Sequence, residues 1–195
     1  MAAEEYQPGS AADFDRLYRD ERSRLLQTVR AIVGDDAEDC VQDAFVQAFR
    51  NWTSYRPEAP AAAWLHRIAI NRAVSVRRRQ KLRGVAESIR RLGRPESPPD
   101  PGNVATSLDL GRALRKLPPR QAAVIVLRHL HGYSNREIGF ALGIPERTVA
   151  SRLVAAKAKL MIELELDLAT STGRDSTPRQ TPLGSESRTG QVQDA

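Results

Sequence analysis

Residues 134–160, SNREIGFALGIPERTVASRLVAAKAKL, carry two helical patterns separated by a glycine and a proline. Ile138, Gly139 and Leu142 share one face of a short first helix, and Ser134 stands where a side-chain oxygen can cap its start. Gly143 suits a left-handed cap at its end, and Pro145 stops that helix from continuing. A second helix begins near Glu146. Its apolar positions Val149, Leu153, Ala156 and Leu160 recur at helical spacing and leave Arg147, Thr148, Ser151 and Arg152 on the outer face. This is the layout of a helix-turn-helix, whose second helix lies in a DNA major groove with its N-terminal side chains at base edges. An ordinary helical hairpin shares the pattern. The turn glycine, the β-branched Val149 and the basic outer face favour DNA.

Upstream of this unit the chain is patterned for helices throughout. Residues 11–33 bring Phe14, Leu17, Tyr18, Leu25, Val29 and Ile32 onto one stripe, with Ser10 as cap and Gly34 as terminator. Residues 36–52 follow, capped by Asp35 or Asp36, with an inner face of Cys40, Val41, Ala44, Phe45, Ala48, Phe49 and Trp52. The loop 53–60 holds Pro57 and Pro60. A third helix covers residues 61–83, with Trp64, Leu65, Ile68, Ala69 and Ala73 turned inward. Residues 84–106, which include GRPESPPDPG, read as a flexible linker. Two further helices, 107–116 and 120–131, are separated by Pro118-Pro119 and lead into the helix-turn-helix. The expected fold is all-α: two small helical domains, 11–83 and 107–166, each with a modest core, the second a helix-turn-helix. Residues 1–10 form a flexible N-terminus, and the Ser-, Thr- and Gly-rich residues 167–195 a disordered tail.

The net charge of +6 is unevenly spread. Residues 1–60 hold 7 basic and 12 acidic side chains, net −5, whereas residues 61–94 hold 10 and 1, net +9. Residues 95–166 are net +3 and residues 167–195 net −1. Segregation on this scale points to two surfaces with two different partners. On the second helix Asp39, Gln42 and Asp43 lie close together, a pattern that a plain solvated face also satisfies. On the third, Arg67, Asn71 and Arg72 precede the run Arg77-Arg78-Arg79 and Lys81, a density of cations suited to phosphates. Asn71 can reach a base edge; Trp64 fits the core better than a stacking role.

Several functions are disfavoured. His66, His129 and His131 lack the spacing of a metal site, and neighbouring positions 129 and 131 point to different helix faces, so no metal is expected. Cys40 is the sole cysteine and sits on a packed face, a poor place for a nucleophile. No glycine-rich phosphate loop is present, and neither an enzyme nor a cofactor is expected. No apolar run approaches the roughly 20 residues of a membrane span, and the N-terminus lacks a secretory pattern; a reducing, cytoplasmic setting is expected.

The order DAEDCVQDAF, WLHRIAINRA, LPPRQAAVIVLRHLHGYSNREIGFALGI, RTVASRL resembles the extracytoplasmic-function sigma factors of bacterial RNA polymerase, over residues 11–165. The resemblance implies a factor that binds core RNA polymerase, recognises the promoter −35 and −10 elements and begins DNA melting. It implies that Asp39, Gln42, Asp43 and Phe45 dock on the clamp helices of the largest polymerase subunit. It further implies that Arg67, Asn71, Arg72, Arg77 and Arg78, with the 53–60 loop, bind the −10 element, a base being flipped near that loop. Arg147, Thr148, Ser151 and Arg152 would meet the −35 element, with Lys157 and Lys159 nearer phosphate. An anti-sigma factor is an implied further partner. Ala150 and Ala155 stand where the family often carries Lys or Arg, Gly139 replaces its usual Ala, and the 53–60 loop is proline-rich in place of its common Gly. A stand-alone helix-turn-helix repressor or activator is the alternative, though it has no need of the acidic second helix.

Overall fold

The computed structural model describes residues 6–91 and 110–172, and those residues form α-helices and short 3-10 turns without a strand. Helix α1 (Ala11–Val33) starts where Ser10 Oγ accepts from the Asp13 amide at 3.3 Å and ends at Gly34, whose φ of 69° favours glycine. A 3-10 turn, Gly34–Asp36, precedes α2 (Ala37–Arg50). Asp36 does not cap α2 through its side chain as expected; its carboxylate accepts from Gln80 Nε2 at 2.6 Å instead. Trp52 lies beyond α2 in a second 3-10 turn, where it is buried and donates its indole N–H to Ser10 O at 2.8 Å.

Helix α3 (Ala61–Arg91) runs eight residues past the expected end at 83. The segment RGVAESIRR contains no proline, and a single glycine costs a helix only about 1 kcal/mol, so nothing there stops it. Residues 84–91 of the expected linker are therefore helical, and 92–106 lie outside the described residues. Helix α4 (Leu110–Lys116) is followed by α5 (Pro119–His129), with Pro119 in the first turn, where a missing N–H costs nothing. Helices α6 (Asn135–Leu142) and α7 (Glu146–Thr172) complete the described chain. Because α7 continues to residue 172, residues 167–172 are helical and do not belong to a disordered tail; Lys116 Nζ reaches Asp167 at 2.7 Å and Glu163 at 3.3 Å.

Helices α1, α2 and α3 pack on one another, as do α5, α6 and α7. The two groups also pack together: α1 lies against α4 and α5, and α3 against α5 and α6. The cause is α5, in which all six residues from Ala122 to Leu127 are buried. A helix apolar on every side must be covered on every side. Helix α7 covers one flank and α1 another, so the expected separate cores merge into one cluster running from Leu17, Leu25 and Ile70 to Leu127, Ile138 and Val149.

Candidate nucleic-acid interface

The helix-turn-helix is built as its sequence pattern requires. Ser134 and Glu137 form a reciprocal capping box: Ser134 Oγ accepts from the Glu137 amide at 3.3 Å, and Glu137 Oε2 accepts from the Ser134 amide at 2.8 Å. Gly143 closes α6 in the left-handed region, at φ 64° and ψ 42°. Gly139 has a different purpose. A Cβ there would stand 2.9 Å from the Ile144 carbonyl oxygen, so its lack of a side chain lets the turn fold back onto α6. Val149 and Ala156 are buried beneath α7; Arg147, Ser151, Lys157 and Lys159 are exposed, and Thr148 and Arg152 are half-buried. Ser151 donates its hydroxyl to Thr148 O at 3.1 Å, a bond within the helix that leaves its oxygen facing outward. Nη1 of Arg152 is buried without a hydrogen-bond partner among the described residues.

On α3, Arg67, Asn71 and Arg78 are exposed, while Arg72 and Arg77 are half-buried. A groove of about 460 Å³ is lined by Gln47 of α2 and by Trp64, Arg67, Ile68, Asn71 and Arg72 of α3. Trp64 is neither wholly core nor free. Its ring leans on Trp52 at 5.8 Å and on Tyr55 at 5.4 Å, with part of it facing this groove. The 53–60 loop is ordered by Tyr55, which stacks on Trp52 at 5.2 Å and donates its hydroxyl to Ala59 O at 2.7 Å. Arg77 turns away from solvent: it donates to Ile32 O at 3.0 Å and to the carbonyl of Arg115 in α4. Desolvation lowers its pKa. Arg67 reaches across to α6, its guanidinium 5.8 Å from the centre of the Phe140 ring.

The acidic face of α2 presents Asp39, Gln42 and Asp43 to solvent, and Arg72 is ion-paired with Asp43. Phe45, on the inner face as the helical pattern predicts although the resemblance also assigns it to the polymerase contact, is 6% exposed and packs on Tyr18 at 4.6 Å; Phe49, expected inside, is 58% exposed. The two lie on one stripe, but Phe49 sits at the end of α2, where Phe14 meets only one edge of its ring at 5.1 Å. Phe45 therefore floors an apolar groove of about 550 Å³ beside the acids, with Val46 and Phe49 on its rim. Tyr18, also expected to be buried, lines the same groove at 39% exposure. The sequence pattern puts Phe49 in the core and does not single out Val46, because helical spacing gives a face without showing where its cover ends.

Two sequence profiles match the chain: Sigma-70 region 2 over residues 17–83 and Sigma-70, region 4 over residues 107–160. ECF RNA polymerase sigma factor SigM of Mycobacterium tuberculosis is 33% identical over 156 residues, covering 78% of this chain and 77% of that protein. The chain belongs to the ECF sigma factors. RNA polymerase sigma-E factor of Streptomyces coelicolor is 34% identical over 163 residues, spanning 80% of this chain and 88% of that protein. Among solved structures, CnrH in complex with the cytosolic domain of CnrY is 28% identical, with a TM-score of 0.54 over 82% of this chain and 92% of that one. The sigma factor RpoE of Bartonella quintana, in complex with the anti-sigma factor NepR, shares the fold at a TM-score of 0.60 and 24% identity, over 80% of this chain and 99% of that one.

Within this ECF sigma factor, the described residues contain no group of three or more His, Cys, Asp or Glu side chains able to hold a metal ion. No described helix is long and apolar enough to cross a membrane. Burial pushes the Cys40 thiol up to about 11, which keeps it protonated and unreactive.

Proposed function

We propose that this ECF sigma factor acts in the cytoplasm, without catalysis of its own, by joining core RNA polymerase and directing it to promoters. Residues 11–83 serve as the polymerase- and −10-binding unit and residues 107–166 as the −35-binding unit. Asp39, Gln42 and Asp43 make the polar part of the polymerase contact, and the groove floored by Phe45 makes its apolar part. Arg67, Asn71, Arg72, Arg77 and Arg78 hold the −10 element, with Asn71 and the groove beside Trp64 nearest the bases. Arg147, Thr148, Ser151 and Arg152 read the −35 element, while Lys157 and Lys159 neutralise phosphates. An anti-sigma factor, the kind of partner bound to RpoE of Bartonella quintana, is a fitting inhibitor.

The observation that carries this reading is the juxtaposition of the acidic α2 surface and the basic α3 surface, joined at the Asp43–Arg72 pair, in a chain that also holds a complete helix-turn-helix. The test is transcription from promoter templates by core polymerase with and without the purified protein. Transcripts that core alone does not make are expected. A sharp footprint by the isolated protein, with no response from polymerase, would overturn the reading in favour of a self-sufficient regulator.

A further inference from the structure

The contact between the two halves contains a small, buried polar cluster. His66 of α3 is fully buried, beneath the rings of His131 at 5.6 Å and Tyr133 at 5.4 Å, both from the turn between α5 and α6. Its Nδ1 lies 3.0 Å from Ala62 O and 3.2 Å from the Tyr133 hydroxyl. A carbonyl oxygen only accepts, which assigns the proton of the neutral ring to Nδ1. Protonation must then occur at Nε2, which is buried and faces no hydrogen-bond partner among the described residues. The groups around it offer little compensation. From α1 come Arg24, a cation, and Glu21, whose buried carboxylate is ion-paired to Arg24 at 3.2 Å. From the α5–α6 turn come His131 and Tyr133, and α6 adds Glu137, engaged with Ser134. On α2, Cys40 and Asp43 lie near Arg72, further along α3.

The same cluster ties the halves together. Arg24 donates to His131 O at 2.9 Å, and His131 Nε2 lies 2.9 Å from Thr28 Oγ1 on α1. While the halves are together, two arginines of the basic α3 face are engaged by the C-terminal half, Arg67 over Phe140 and Arg77 at the Arg115 carbonyl.

We propose that this contact is a proton-operated latch: with His66 neutral the halves close on each other, and protonation of His66, reinforced by His131, opens them and frees Arg67 and Arg77. That the freed arginines then meet DNA rests on the promoter-binding reading above; the opening itself does not.

The sign follows from linkage. Desolvation lowers the pKa of His66 to about 3 in the closed form, with His131 and Arg24 adding to the effect, and desolvation lowers that of His131 as well. In the open form an imidazole returns to about 6.5. The closed form is thus favoured above about pH 6.5. Below it, each pH unit shifts the closed-to-open ratio about tenfold towards open through His66, until its closed-form pKa is reached, and His131 acts in the same direction.

The test is the radius of gyration of the full chain by small-angle scattering between pH 8 and pH 5, with far-ultraviolet circular dichroism alongside. Expansion on acidification at constant helix content is expected, and His66→Phe should stay compact to lower pH. An unchanged radius across the range, expansion only together with loss of helix, or identical profiles for wild type and His66→Phe would each overturn the latch. Imidazole titration of the wild-type chain by NMR decides the matter even if Phe is not tolerated. His66 should gain its proton only as the chain expands, and an ordinary titration in a compact chain would overturn the proposal. Neither readout uses polymerase or DNA, so failure of the latch and failure of the functional reading are told apart.

Discussion

The guanidinium of Arg72 on α3 is ion-paired with the carboxylate of Asp43 on α2, so a residue assigned to promoter DNA and a residue assigned to polymerase hold each other. In the free protein each partly neutralises the other. Polymerase engaging Asp43 would release Arg72 towards DNA, giving the two binding events a shared element.

Asp43→Asn should therefore act with opposite signs on the two partners. Affinity for core polymerase should fall, while affinity of the free protein for single-stranded −10 DNA should rise by up to about fivefold, equivalent to about 1 kcal/mol. The cost to folding should stay below about 1 kcal/mol, because the Asp43 side chain is 53% exposed and such pairs are weak in water. Fluorescence anisotropy with labelled core and labelled oligonucleotide checks both arms. A parallel loss of both affinities would mean that Asp43 merely positions Arg72.

Phe45 and Phe49, four residues apart, should separate folding from docking. Phe45→Ala removes a buried ring and should cost about 3 kcal/mol or more in urea unfolding. Phe49→Ala removes a largely exposed ring and should cost about 1 kcal/mol or less, yet weaken core binding at least as much as loss of Asp39. Equal destabilisation by both substitutions would show that Phe49 is structural.

The contrast between these two phenylalanines marks where the sequence was legible. Local chemistry was readable: Ser134, Gly143 and Pro145 delimit the helix-turn-helix because capping and φ restriction act within a few residues. The apolar run of α5 was readable as a helix, but the cover over its second flank was not. Helix α1 lies about a hundred residues upstream, and nothing local encodes that approach. His66 was hidden for the same reason, since its burial depends on His131 and Tyr133, which only the closed arrangement brings to it. The long end of α3 was missed because prolines clustered downstream made the whole stretch read as linker.

Gly139→Ala pits two effects against each other. Helix propensity favours alanine by about 1 kcal/mol, while the added Cβ would stand 2.9 Å from the Ile144 carbonyl oxygen, an immobile backbone atom. Overpacking of this kind typically costs about 1–3 kcal/mol, so net destabilisation is expected. Thermal unfolding should show a lowered Tm, and −35 binding should weaken as the turn shifts. A raised Tm would mean that the turn yields freely.

The last distinction lies on α7, between side chains that read sequence and those that meet phosphate. Arg147 and Arg152 sit in the first two turns of the helix, and Lys157 and Lys159 roughly three to four turns from its start. If the lysines neutralise phosphates, Lys157→Ala should weaken binding to all duplexes equally and reduce the slope of log affinity against log salt by about 1. Arg147→Ala or Arg152→Ala should instead narrow the preference for the promoter over unrelated DNA, by about 1–3 kcal/mol if the lost contact is bidentate to a base. Nη1 of Arg152 is buried without a hydrogen-bond partner among the described residues, so a base acceptor would satisfy it once the side chain turns outward. Salt titrations on promoter and scrambled duplexes, read for slope and for ratio, separate the two roles. A change of slope alone on loss of Arg152 would move it to the phosphate set.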